Sequence, residues 1–344
     1  MFELICTSVP QGLFEGSSGF CTVACTNGMP PHLISALEAI GAAEPDGGVP
    51  VLLAYRRVHC GGVVYPVMTR TVSGGRDHNG SPGKTVHHLI FASDDELNYC
   101  PGEAFGVLCC EENFIGSWEK EPACLPVRKG LVSRKRVIRR AGNWELVAGD
   151  AGWAGVIAEY FREDPEKTVY LIFDSTQIEP ENLLVLFNEI SDLFPEKERK
   201  KFTYSTFCCG EFHDCDCFLQ AVPADDPAAA ELCAGMGERC LILDAAGVIP
   251  EKYAASPLVD LARNRKTERV SRRNPVVEDE DFINDVEEKT EPHPEISRKK
   301  FPVPLLITFL LLLLILLGVL LLVPRRSSGN PEGIEVLQEN LQID

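Results

Sequence analysis

Two short stretches hold the residue types that could do chemistry. Residues 78–91 read HNGSPGKTVHHLIF and set Gly83-Lys84-Thr85 just before a histidine pair, His87 and His88. Residues 208–217 read CCGEFHDCDC and gather Cys208, Cys209, His213, Cys215 and Cys217. A Gly-Lys-Thr triplet can close a phosphate-binding loop, in which successive backbone N–H groups curl around an anion. Such a loop starts with a glycine at the position held here by His78. It also runs into a helix whose N-terminus faces the phosphate, whereas Thr85 opens the strand-like VHHLIF. Both requirements fail.

The histidines could act as bases or bind metal. Neighbours on a strand point to opposite faces, so the two do not form one ligand pair unaided. One is expected to face the core, hydrogen-bonded, and the other a groove. A general base also needs an oriented partner, and no spacing supplies one. A structural or recognition role is expected, with a hydrolase using a His or Cys of this region as the alternative. The thiol run offers zinc ligand types, but Cys-x-Cys is tighter than the usual ligand spacing. A reduced, thiol-rich turn between strands is expected and no cofactor; a zinc-stabilised binding module is the remaining alternative. Neither a Gly-x-Ser-x-Gly elbow nor a His-Glu-x-x-His helix occurs.

The elements that must position these residues fall into two groups, giving an α+β class. ELICTSV, GFCTVACT, VLLAYRRVH, VVYPVMTRTV and TVHHLIFAS read as strands, with a hairpin at His59-Cys60-Gly61-Gly62. Pro30-Pro31 opens a helix over HLISALEAIGA. This strand-rich domain is placed at 1–125. A mixed α/β domain over 143–262 alternates helices (GWAGVIAEYFRE, PENLLVLFNEISDLF, AAAELCAGM) with strands (TVYLIFDS, KFTYSTF, DCFLQAVP, CLILDAA). GDAGWAG lacks a dinucleotide fingerprint and is expected to begin a tightly packed helix. Between the domains, 126–142 is a basic seam with Arg128, Lys129, Arg134, Lys135, Arg136, Arg139 and Arg140, a solvated segment or a dock for an acidic partner.

After a charged linker over 263–300, residues 303–323 read VPLLITFLLLLLILLGVLLLV. At about 1.5 Å per residue this run spans roughly 31 Å, a bilayer's hydrocarbon thickness. One transmembrane helix is expected there, followed by a short polar tail at 324–344. It carries no ionisable residue, so it reads as a tether rather than a channel. The formal charge of −18 argues against a nucleic-acid partner. Fourteen scattered cysteines and the start MFELICTSVP suit a cytoplasmic body on the reducing side of the cell membrane.

Three stretches carry a family resemblance: CTSVPQGL, GSSGFCTVACTNGMPPHLISALEAI and VMTRTVSGGRDHNGSPGKTVHHLIF. Together they resemble the second type of N-terminal domain in the first family of bacterial GTPase-associated proteins. AGDAGWAGVIAEYF and FTYSTF are similar to the middle region that follows in such proteins. The resemblance implies an adaptor or scaffold working beside a small GTPase in a regulatory or conflict system. It implies signature positions at Gly19, Phe20, Thr22, Thr26, Gly28, Arg70, Asp77, His87 and His88. Relatives tend to carry an aromatic residue after the aspartate, where this chain has His78.

Overall fold

A computed structural model describes residues 1–44, 51–134, 141–208, 214–243 and 246–264, all within one compact unit. The apolar run at 303–323, the linker beyond Asn264 and the tail lie outside them, as do Cys209, His213 and seam residues 135–140. Among the described residues, no helix is long and apolar enough to cross a membrane. The fold is mixed α/β, with the strand-rich part of the sheet at the N-terminal end.

Runs of β-branched and aromatic residues form β1 (Phe2–Val9), β2 (Gly19–Thr26), β3 (Val51–Cys60), β4 (Val63–Arg76) and β5 (Pro82–Ile90). They pair antiparallel in the order β3-β4-β5-β1-β2. The β3–β4 turn is made by Gly61 and Gly62 at φ 60° and 79°, a backbone region that suits glycine. One face is covered by α1 (Pro31–Ala43), whose first-turn proline costs no helical hydrogen bond. Leu33, Ile34, Leu37 and Ile40 pack there against Leu4, Val58, Val86 and Ile90. On the other face lie α2 (Asp94–Asn98), α3 (Glu103–Leu108) and a strap over 109–134 that carries β6 (Ala123–Leu125), parallel to β2.

The second part comprises α4 (Gly142–Ala148), α5 (Gly152–Glu163), β7 (Val169–Phe173), α6 (Pro180–Ser191), α7 (Glu196–Arg199), β8 (Tyr204–Ser205), β9 (Cys215–Asp216), β10 (Leu219–Pro223), α8 (Pro227–Met236), β11 (Cys240–Ile242), α9 (Glu251–Ala254) and α10 (Pro257–Asn264). β11-β7-β10-β8 are parallel. β8 then pairs antiparallel with β3, Ala54 against Ser205 and Tyr55 against Tyr204. The described strands therefore form one sheet of eleven, with β9 also on β3. Phe161, Phe194, Phe202 and Phe218 stack at 5.0–5.7 Å centroid distances behind it. Burying each such ring contributes roughly 1.5–3 kcal/mol.

GDAGWAG does begin a tightly packed helix. A Cβ on Gly155 would stand 2.5 Å from the Val259 backbone, so only glycine lets α10 approach α5 this closely. Arg263, expected at the start of the linker, instead belongs to α10 and grips Asp150 (Nε–Oδ1 2.9 Å, Nη2–Oδ2 2.5 Å).

Candidate functional site

β5 sits between β4 and β1 and projects alternate residues to the two faces of the sheet. Lys84, Val86, His88 and Ile90 face α1, whereas His87 and Leu89 face the strap and α3. Both histidines are fully buried, at 0% exposure. Neither reaches a groove: the expectation that one would is corrected by α1 on one side and the strap on the other, each laid directly over the sheet. Gly83-Lys84-Thr85 lies inside the strand, with no helix after it.

On the strap side, the Ile115 N–H donates to His87 Nδ1 at 2.9 Å. That bond assigns the tautomer, so Nε2 carries the proton and donates to Glu3 Oε1 at 3.2 Å. Arg128 Nη1 donates to the same Glu3 oxygen at 2.8 Å and to the Asn113 carbonyl at 2.8 Å. Phe114 meets the imidazole edge-on at 5.7 Å. Burial would raise the Glu3 carboxyl, but hydrogen bonds from His87 and Arg128 outweigh it and hold the group below its ordinary range. Burial lowers His87 despite the pull of Glu3. A general-base histidine needs one nitrogen free for the reacting proton. His87 has none, because the backbone and Glu3 take both.

On the α1 side, His88 Nδ1 bonds Thr69 Oγ1 at 2.9 Å; its Nε2 is buried and makes no well-formed hydrogen bond, with the Leu37 backbone of α1 close by. Around it stand two cations and a carboxylate. Arg56 Nη1 pairs with Glu44 Oε1 at 2.7 Å, and both side chains are sealed, at 2% and 0% exposure. Thr71 donates to the other Glu44 oxygen. Lys84 Nζ donates to the Ala42 carbonyl at 3.0 Å and to the Glu44 carbonyl, at the C-terminus of α1 where the helix dipole favours a cation. Arg56 also reaches Ser205 Oγ at 3.5 Å, tying the N-terminal strands to β8. Burial and the nearby Arg56 push His88 down to about 3, so it is neutral.

The other signature positions divide between these two clusters and the turns. The Phe20 ring lies under Lys84 Nζ at 5.0 Å, and the Thr22 N–H donates to Glu38 Oε1 at 2.5 Å. Thr26 Oγ1 accepts from the Glu3 N–H at 2.9 Å, next to the residue that holds His87. Arg70 Nη2 pairs with Glu111 Oε1 at 2.7 Å. Asp77 closes its turn by accepting from the Asn79 and Ser81 N–H groups, both at 2.8 Å. Gly19 and Gly28 adopt φ 77° and 83° at turns. The glycines and Asp77 thus shape backbone, Phe20 and Thr26 touch one cluster each, and Thr22 and Arg70 make separate bonds to Glu38 and Glu111.

Residues 1–128 match the model of a known family, described as GTPase-associated protein 1, N-terminal domain type 2. That is the resemblance carried by the three sequence stretches, and the match ends at Arg128, the residue that clasps Glu3. No curated protein and no solved structure matches the chain. The matched residues include every member of the His87 cluster. They also include every member of the His88 cluster except Ser205. Sequence reasoning missed Glu3, Glu44, Arg56, Thr69 and Thr71, and it singled out Lys84 and Arg128 only for other roles, in a phosphate-loop triplet and a basic seam; the one local signal for the rest was the Arg56-Arg57 pair inside a strand, where one of two neighbours must point inward.

Cys217 lies near Arg56, Cys208 and Cys215, and burial pushes its thiol up to about 12. Among the described residues, no three His, Cys, Asp or Glu side chains gather as a metal-binding group. A polar cleft of about 330 Å³ is lined by Tyr160, Glu163, Asp164, Lys167, Glu238, Arg239 and Lys252, none of them among the signature positions.

Proposed function

We propose that this chain is a membrane-tethered adaptor that works with a small GTPase, its folded body on the cytoplasmic side. The observation that carries the reading is the match of residues 1–128 to a GTPase-associated domain. Two further features support it. His87, although it is paired with the Glu3 carboxylate, has both nitrogens consumed by structure. The sequence at 303–323 is long and apolar enough for a bilayer anchor. An anchored adaptor acts by concentrating its partner at the membrane, which raises effective concentration without any new contact.

The test uses the full chain in detergent with each small GTPase encoded beside its gene, loaded with GDP or a non-hydrolysable GTP analogue. Co-purification that depends on the nucleotide is the expected result. No binding in either state, with every such GTPase, overturns the adaptor reading. Extraction of the chain from membranes by alkaline carbonate overturns the tether alone.

A further inference from the structure

The strap that seals His87 is pinned at Ile115 and Arg128, and between those points its only strand is β6. β6 ends the sheet, so no described strand pairs with its outer side. Its register sets Cys25 directly beside Cys124 on parallel strands. Residues paired this way point to the same face, and neighbouring strands lie about 4.8 Å apart. That spacing falls within the roughly 4.4–6.8 Å that a disulfide allows between Cα atoms. The two thiols differ in access. Cys25 is buried at 6% exposure, and Cys124 is the one exposed cysteine among the described residues. An exposed thiol that can be attacked from solvent, with a sheltered thiol in register beside it, is the arrangement that disulfide exchange requires.

We propose that Cys25 and Cys124 form a thiol–disulfide switch, closed by a low-molecular-weight disulfide such as oxidised glutathione, that bolts the strap over His87. Cys124 loses its proton to solvent, and its thiolate attacks one sulfur of the small disulfide. One small thiol leaves, and Cys124 carries the mixed disulfide. Cys25 then gives up its proton and attacks Cys124 Sγ, and the second small thiol departs. Two protein thiols lose two electrons, and the small disulfide gains them as two thiols. In the reduced state the strap depends on hydrogen bonds and on Trp118 and Leu125 packed against Ile5 and Val23; in the oxidised state it is covalently fixed.

The experiment titrates the full chain, in detergent, with mixtures of oxidised and reduced glutathione. Acid quenching, maleimide labelling and peptide mass mapping follow. The expected product is a Cys25 peptide linked to a Cys124 peptide within one chain, with Cys124 labelling down about tenfold. Cys25→Ala should stop the reaction at a glutathione adduct on Cys124, and Cys124→Ser, a change at an exposed position, should leave Cys25 reduced. Amide exchange over residues 114–128 should slow on oxidation. A stable glutathione adduct in the unsubstituted chain, a bond between two chains, linkage of another pair such as Cys233 and Cys240, or unchanged exchange overturns the proposal.

Discussion

The two sides of β5 solve the same problem in opposite ways. Each buries a histidine at full depth, one residue apart. On the strap side every polar atom of His87 is matched, and the charges are one carboxylate and one guanidinium. On the α1 side one nitrogen of His88 makes no well-formed bond, Arg56 stands near the ring, and Glu44 and Lys84 complete the charged cluster at the end of α1. The difference teaches what each side specifies. Matched bonds add to the packing of Phe114, Trp118 and Leu125 in fixing the strap, whereas the ionic cluster holds the end of α1 and reaches β8. A buried ion pair is weak evidence for stability, because desolvation opposes the Coulomb attraction; breaking one partner is what costs most.

The largest effect is therefore expected from Arg56→Met. It strands the Glu44 carboxylate in the interior and should cost about 3–5 kcal/mol in chemical denaturation. Adding Glu44→Gln should restore part of the loss, since the buried carboxylate disappears while the Lys84 ammonium stays. A double variant as unstable as Arg56→Met alone would show that Arg56 acts through packing and not through charge.

Next in size is the contrast between the histidines. His87→Leu leaves the Ile115 N–H unmatched and takes from Glu3 Oε1 one of its two donors, Arg128 remaining, for an expected loss of about 1–3 kcal/mol. His88→Leu gives up one bond to Thr69 but also removes the orphaned nitrogen, so its cost should stay below about 1 kcal/mol. Equal losses in the two variants would erase the distinction drawn between the faces.

How much of this was readable beforehand depends on the range of the interaction. α5 was legible because GWAGVIAEYFRE has helical periodicity within twelve residues. The strand character of TVHHLIF was legible too, and with it the failure of the phosphate-loop reading and the opposed faces of His87 and His88. The α1-side cluster was not, since Glu44, Arg56, Lys84 and Ser205 are far apart in the chain and a charged letter does not say which way it points. The joining of β3 to β8 is hidden for the same reason: it pairs Tyr55 with Tyr204, and no local pattern encodes that partner. The strap gave almost no signal, because β6 is three residues long, one anchor is the Ile115 backbone N–H, and the other, Arg128, meets a carboxylate 125 residues away.

Acid sharpens the comparison further. His88 titrates near 3 in the folded chain and near 6.5 unfolded, so its neutral form contributes stability that is complete above about 6.5 and lost as pH falls towards 3. The limiting slope is about 1.4 kcal/mol per pH unit. Glu189, raised to about 7 by burial, works the other way: its contribution is complete below about 4.5 and fades as pH rises through 7. The informative quantity is therefore the difference between the unsubstituted chain and His88→Leu, in which Glu189 cancels. From pH 7.5 to 5.5 the variant should gain about 1 kcal/mol on the unsubstituted chain, measured by urea midpoints. Parallel curves would mean that His88 finds a proton acceptor on folding.

The smallest expected effect repairs the orphan. A Cβ on Gly41 would lie 3.6 Å from His88 Nε2 and 3.4 Å from the Phe20 ring. A serine hydroxyl there stands within reach of about 2.8–3.0 Å of the nitrogen, and it can donate or accept to suit either tautomer. Gly41→Ser should therefore add about 1 kcal/mol for the bond and about 0.5 kcal/mol for helix propensity, less whatever Phe20 must yield. Gly41→Ala isolates the propensity and crowding parts, because it brings the same Cβ without the hydroxyl. If the bond forms, serine exceeds alanine by up to about 1 kcal/mol, and the excess vanishes in a His88→Leu background. An excess that survives without His88 would place the serine's partner elsewhere and leave Nε2 as lonely as before.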